Sequence, residues 1–149
     1  MRRHILIVAT DTHIQPQLLA DAVRDAVART RGHIQVVRVM IPAVVPPTLP
    51  IGAWPPRLAA RLEGLRDAAE ATVASLQPRG RVEIAPCRSV AALLQAVWPV
   101  ERLVLVGGAG WSIRRAARGV APDIVVVPSR PRAARREQLP ASQPKVLPE

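Results

Sequence analysis

HILIVAT, at 4–10, is a short, near-continuous apolar run rich in β-branched residues, and HIQVVRVMI at 33–41, RLVLVG at 102–107 and DIVVVP at 123–128 read as further strands. A strand with one wet face alternates apolar and polar residues, whereas a strand buried on both faces reads as a continuous run. Doubly buried strands belong to parallel sheets, whose crossover connections lay helices over both faces. This one feature sets aside helical bundles and one-sided antiparallel sheets.

The segments between the runs have helical spacing. Ile14, Leu18, Leu19, Ala22, Val23, Ala26 and Val27 form a stripe opposite Asp21, Arg24 and Asp25. Pro16 suits a first turn, and Arg29, Arg31 and Gly32 signal an end. Leu58, Leu62, Leu65, Ala69, Val73 and Leu76 predict a second helix that tolerates Gly64 and stops at Pro78. Between them PAVVPPTLPIGAWPP, 42–56, holds six prolines. That excludes a regular helix or central strand and predicts a long surface loop: a lid, a partner surface or a stiff connector. RVEIAP at 81–86 is a short strand. Ser89 can cap a helix running to about Trp98, with Val90, Leu93, Leu94 and Val97 inward and Pro99 ending it. A short helix over 111–118 ends at Gly119. Five strands alternating with four helices predict an α/β fold, an open, doubly wound parallel sheet.

At 149 residues, 49% of them apolar, the chain has material for one domain with a substantial core. That domain is expected over 1–128, followed by a basic, proline-rich, disordered tail at 129–149 with five basic and two acidic residues. No run approaches the roughly 18–20 apolar residues needed to cross a bilayer. The opening MRRHILIVAT has the arginines and apolar run of a secretion signal, but Thr10, Asp11 and Thr12 break it and no small-residue cleavage site follows. The expectation is a first strand in a cytoplasmic protein without membrane contact. Cys87 is the only cysteine, which excludes an internal disulfide and a cysteine zinc cluster; it reads as a half-buried loop residue. The net charge of +10 comes from twenty arginines and one lysine. Nucleic acid is not the expected partner, because Phe and Tyr are absent and three Trp supply a poor stacking platform.

Ligands of such sheets bind beyond the carboxyl ends of the strands, where the winding reverses. Two loops meet that description: VATDTH, with Asp11, and VGGAGWS, with Gly107, Gly108 and Gly110. Asp11 can accept hydrogen bonds from a base or ribose, or cap the first helix. The glycines let backbone N–H groups approach an anion, or serve a plain turn. Ser112, Arg114 and Arg115 follow and can donate to a phosphate, or sit on a solvated helix. His4 and His33 read as structural residues at strand starts; His13, near Asp11, reads as a loop residue or a general base. No Ser-His-Asp set, carboxylate pair or metal-ligand spacing is evident, so the chain is not expected to be an enzyme.

The order of elements, the Asp after the first strand, the proline-rich stretch after the second, the long second helix and the Gly-x-x-Gly after the fourth resemble a universal stress protein domain over about residues 3–128. The resemblance implies strand order 3-2-1-4-5, which sets the two loops side by side. It implies ATP as cofactor, with Asp11 and Val39, or its neighbour Val37, at the adenine and Gly107 and Gly110 at the phosphates. It also implies a homodimer paired through the last strand, Asp123, Ile124, Val125, Val126 and Val127. The chain departs from that motif after Gly110. Gly119 follows after eight residues where the motif has nine, Val120 replaces the hydroxyl residue, and most of the final helix is missing. Three functions are therefore open: an adenine-nucleotide-binding regulatory domain, a ligand-free dimeric interaction module working through the proline loop and tail, and an enzyme of a related α/β nucleotide fold. A response-regulator receiver domain shares the layout but needs an acidic cluster and a lysine, and the only Lys here, Lys145, is in the tail.

Overall fold

A computed structural model describes residues 3–29, 34–46, 48–76 and 79–129. The elements follow in the order β1 (Arg3–Ala9), α1 (Pro16–Arg29), β2 (Ile34–Val44), a 3-10 turn (Ile51–Ala53), α2 (Pro56–Ala74), β3 (Arg79–Cys87), α3 (Val90–Ala96), β4 (Arg102–Val106), α4 (Trp111–Ala117) and β5 (Asp123–Val127). The five strands form one parallel sheet in the order β3-β2-β1-β4-β5. The expected α/β fold, strand order included, is what the chain adopts. All of the expected tail but Ser129 lies outside the described residues.

Successive side chains of a strand point to opposite faces, and along the central strands β1 and β4 both faces are dry. Ile5, Ile7, Ala9, Val39, Ile41, Val104 and Val106 pack with the stripes of α1 and α2, including Leu19, Val23, Leu62 and Leu65. Leu6, Val8, Met40, Leu103 and Leu105 pack on the other face with Leu93 and Leu94 of α3 and Ala117 of α4. Each fully buried Leu, Ile or Val contributes roughly 1.5–3 kcal/mol, which is why Ile5–Ala9 and Leu103–Val106 carry no polar residue. The two faces are unequal: α1 and α2 have 14 and 19 residues, α3 and α4 seven each.

Local signals explain the boundaries. Pro16 is the first residue of α1, where its missing N–H costs nothing. The Ser89 hydroxyl accepts from the Ala92 N–H at 3.1 Å, capping α3 as expected. Arg102 of β4 donates to Asp123 of β5 at 2.6 Å, tying the edge strand to its neighbour.

One boundary needs correction. The proline-rich segment does not begin as a loop at residue 42. β2 continues through Pro42 to Val44, paired with Ala85–Cys87 of β3. The pairing of β2 with β1 ends at Val8–Met40. Past that point β2 is locally an edge on the β1 side, and an edge is where a strand accepts a residue without an N–H. β3 is likewise longer than 81–86 and carries Pro86 on the outer edge of the sheet.

Candidate functional site

The chain winds from β1 outward to β2 and β3 over one face, then returns to lay β4 on the other side of β1. The reversal therefore lies between β1 and β4, and the loops 10–15 and 107–110 meet there. They meet closely. The Thr10 N–H donates to the Val106 carbonyl at 2.8 Å, and the Thr10 hydroxyl reaches the carbonyls of Val106 and Gly108. Gly107 and Gly108 have φ of +114° and +92°, values that favour glycine. A Cβ on Gly107 would stand 2.7 Å from the Asp11 Cβ and 2.8 Å from its backbone nitrogen, so only glycine fits against Asp11.

The glycine N–H groups are committed. Those of Gly107 and Gly108 both donate to the carbonyl of Val127, at 2.8 and 2.9 Å. They close the end of β5 rather than face an incoming anion. Arg114 donates through Nε to the Ala109 carbonyl of its own loop at 2.8 Å, and the Arg115 guanidinium lies 5.3 Å from the centroid of the Trp111 ring. Gly110 and Ser112 are exposed at the start of α4.

The open space is one strand over. A cleft of about 320 Å³ sits above the carboxyl ends of β1 and β2, at the small end of the range of roughly 300–1,000 Å³ typical of ligand sites. Thr10, Asp11, Thr12 and Arg61 supply its polar groups, and Pro42, Val44, Leu58 and Val90 are among its apolar ones. The walls thus come from β1 and its loop, the end of β2, the first two turns of α2 and the first residue of α3. Asp11 Oδ1 accepts from the His13 N–H at 2.9 Å and lies 3.4 Å from His13 Nδ1. This turn fixes the carboxylate at the rim, 39% exposed. Arg61 faces the same cleft with no ion-pair or hydrogen-bond partner among the described residues.

The structure therefore separates the residues singled out from the sequence. Asp11 lines the cleft and Gly107 packs behind it. Gly110, Ser112 and Arg114 stand outside the cleft on the α4 side. Val39 is fully buried mid-sheet between Ile7 and Val82, and Val37 is buried one pair of residues lower. The positions of β2 that reach the cleft are Pro42 and Val44. Sequence reasoning also missed Arg61, which the periodicity of α2 places among solvated residues. Two arginines four apart at a helix start, with no acid in the first turn, were the available signal.

Among the described residues no group of three or more His, Cys, Asp or Glu could hold a metal, and no helix is long and apolar enough to cross a membrane. Comparison with family models, curated proteins and solved structures gives no match, so the site's chemistry is read from its own residues.

Proposed function

We propose that this chain is a small ligand-binding regulatory domain, similar in layout to universal stress protein domains, whose ligand sits over the carboxyl ends of β1 and β2. The observation that supports it is the cleft: Asp11 and Arg61 face one space with opposite charges and no ion pair between them. A carboxylate and a guanidinium that do not pair with each other, set beside an apolar wall, favour a polar ligand with an apolar body. An adenine nucleotide has that character. Its base packs on Val44, Leu58 and Val90, and Asp11 accepts from the exocyclic amine or a ribose hydroxyl. Titration calorimetry of the full chain with adenosine, AMP and ATP–Mg²⁺ tests this. Binding is expected, weakened about tenfold or more in Asp11→Ala, the loss of one charge-assisted hydrogen bond. The absence of heat and of any thermal shift with all three compounds at millimolar concentration refutes the reading.

A second reading, a dimeric interaction module, is favoured by β5. It is an edge strand bonded only to β4 among the described strands, and Val125 on it is 39% exposed. Apolar, unpaired edges invite a second strand. Light scattering of the full chain tests the pairing: a dimer is expected, and a monomer at tens of micromolar counts against association through β5.

A further inference from the structure

The arginines of the body divide into two classes. Arg24, Arg29, Arg38, Arg66 and Arg102 each face a carboxylate, those of Asp21, Asp25, Glu83, Glu63 with Glu70, and Asp123. Arg57 and Arg61 have no side-chain partner among the described residues; Arg81, Arg88 and Arg118 have none either, but Arg61 alone of these five lines the cleft and only Arg57 and Arg61 share one helix. They stand second and sixth in α2, so four-residue spacing lays them on one helix face. Two like charges at this spacing repel. Arg57 also sits in the first turn, at the positively poled end of a 19-residue helix, and that turn holds no acid. Like-charge spacing, and for Arg57 the helix dipole, disfavour a cation pair here, and no acid among the described residues pairs with either side chain. Such uncompensated conflicts concentrate at functional sites.

The second observation is independent of the helix. Arg61 lines the cleft together with Leu58 of the same helix and with Asp11. The third removes the competing anchor: the N–H groups of Gly107 and Gly108, which would serve a phosphate in a glycine loop, are bonded to Val127.

We propose that Arg61, assisted by Arg57, is the anion anchor of the cleft and that the ligand is a phosphate monoester of nucleoside size. This rests on the cleft being a binding site, as proposed above. A guanidinium binds two phosphate oxygens at once through its fork of N–H donors, and a second guanidinium one turn away answers the second negative charge of a monoester. The volume of about 320 Å³ suits a compact head group. A triphosphate gains nothing from the amides of Gly107 and Gly108, which β5 holds.

The test is calorimetry of the full chain with adenosine, AMP and ATP, on wild type, Arg61→Gln, Arg61→Lys and Arg118→Gln, with melting curves to establish folding. AMP affinity is expected to fall at least tenfold in Arg61→Gln, to be intermediate in Arg61→Lys and to be unchanged in Arg118→Gln. Adenosine affinity is expected to be equal in wild type and Arg61→Gln, and ATP to bind wild type no tighter than AMP. AMP binding to Arg61→Gln within twofold of wild type overturns the anchor while leaving the cleft reading intact. ATP binding tenfold tighter than AMP overturns the monoester. If none of the three compounds binds wild type, the cleft reading itself fails and the anchor with it.

Discussion

Replacing the glycines of the β4–α4 loop one at a time separates what each contributes. At Gly107 a methyl group meets backbone and Cβ atoms of Asp11 at 2.7–2.8 Å, well inside the roughly 3.5–4.0 Å at which carbon atoms attract. Neither contact is the far end of a flexible side chain, so a loop must move. Forced overpacking of this kind costs about 1–3 kcal/mol. A φ of +114° adds roughly 1–2 kcal/mol for any residue with a Cβ. Gly107→Ala is therefore expected to lose about 3 kcal/mol, near 10 °C in melting temperature for a domain of this size. Gly108 has φ +92° but open space around it, so Gly108→Ala loses only the conformational term of about 1–2 kcal/mol. Gly110 has φ −74° and open space. The entropy gained on replacing it is offset by the loss of a tolerated helix cap, and Gly110→Ala stays within about 0.5 kcal/mol of wild type. Urea unfolding at equilibrium gives all three values, provided the slopes agree. A Gly107→Ala variant as stable as wild type, or a Gly110→Ala variant as damaged as Gly107→Ala, refutes the reasoning.

Thr10→Val preserves the shape of the side chain and removes the hydroxyl that reaches Val106 and Gly108; urea unfolding is expected to show a loss of about 1–2 kcal/mol. Burial pushes the Cys87 thiol above its ordinary pKa, so less of it is thiolate near neutral pH. Its reaction with a disulfide reagent is expected to be slower than that of free cysteine at pH 7.5 and to be still climbing above pH 9; a rate matching the free thiol contradicts the burial.

The fold was readable because its evidence is local. A strand covered on both faces must be apolar throughout, so HILIVAT and RLVLVG announce themselves, and Ser89 and Pro16 mark helix starts by chemistry that reaches only a few residues along the chain. The extent of β2 was not readable, because Pro42 is acceptable only where β1 has already ended, a fact of register between two strands. The site was half readable. Asp11 follows from its place after a buried strand. The glycines were visible, but the acceptor of their N–H groups, Val127, lies nearly twenty residues on and no spacing announces it. Val39 fitted the motif by type and strand, and the pleat and register put it in the core. Arg61 looked like one more charge on a wet helix until the fold set it in the same cleft as Asp11.

The doubly accepted carbonyl of Val127 has a mechanical consequence. The last strand ends there, and its final carbonyl is held by two N–H groups from the loop that packs against Asp11. Tension applied through the carboxyl terminus would reach this clasp before the ladder between β4 and β5. The load would pass through Gly107 into the rim of the cleft, so the terminus and the site share one force path.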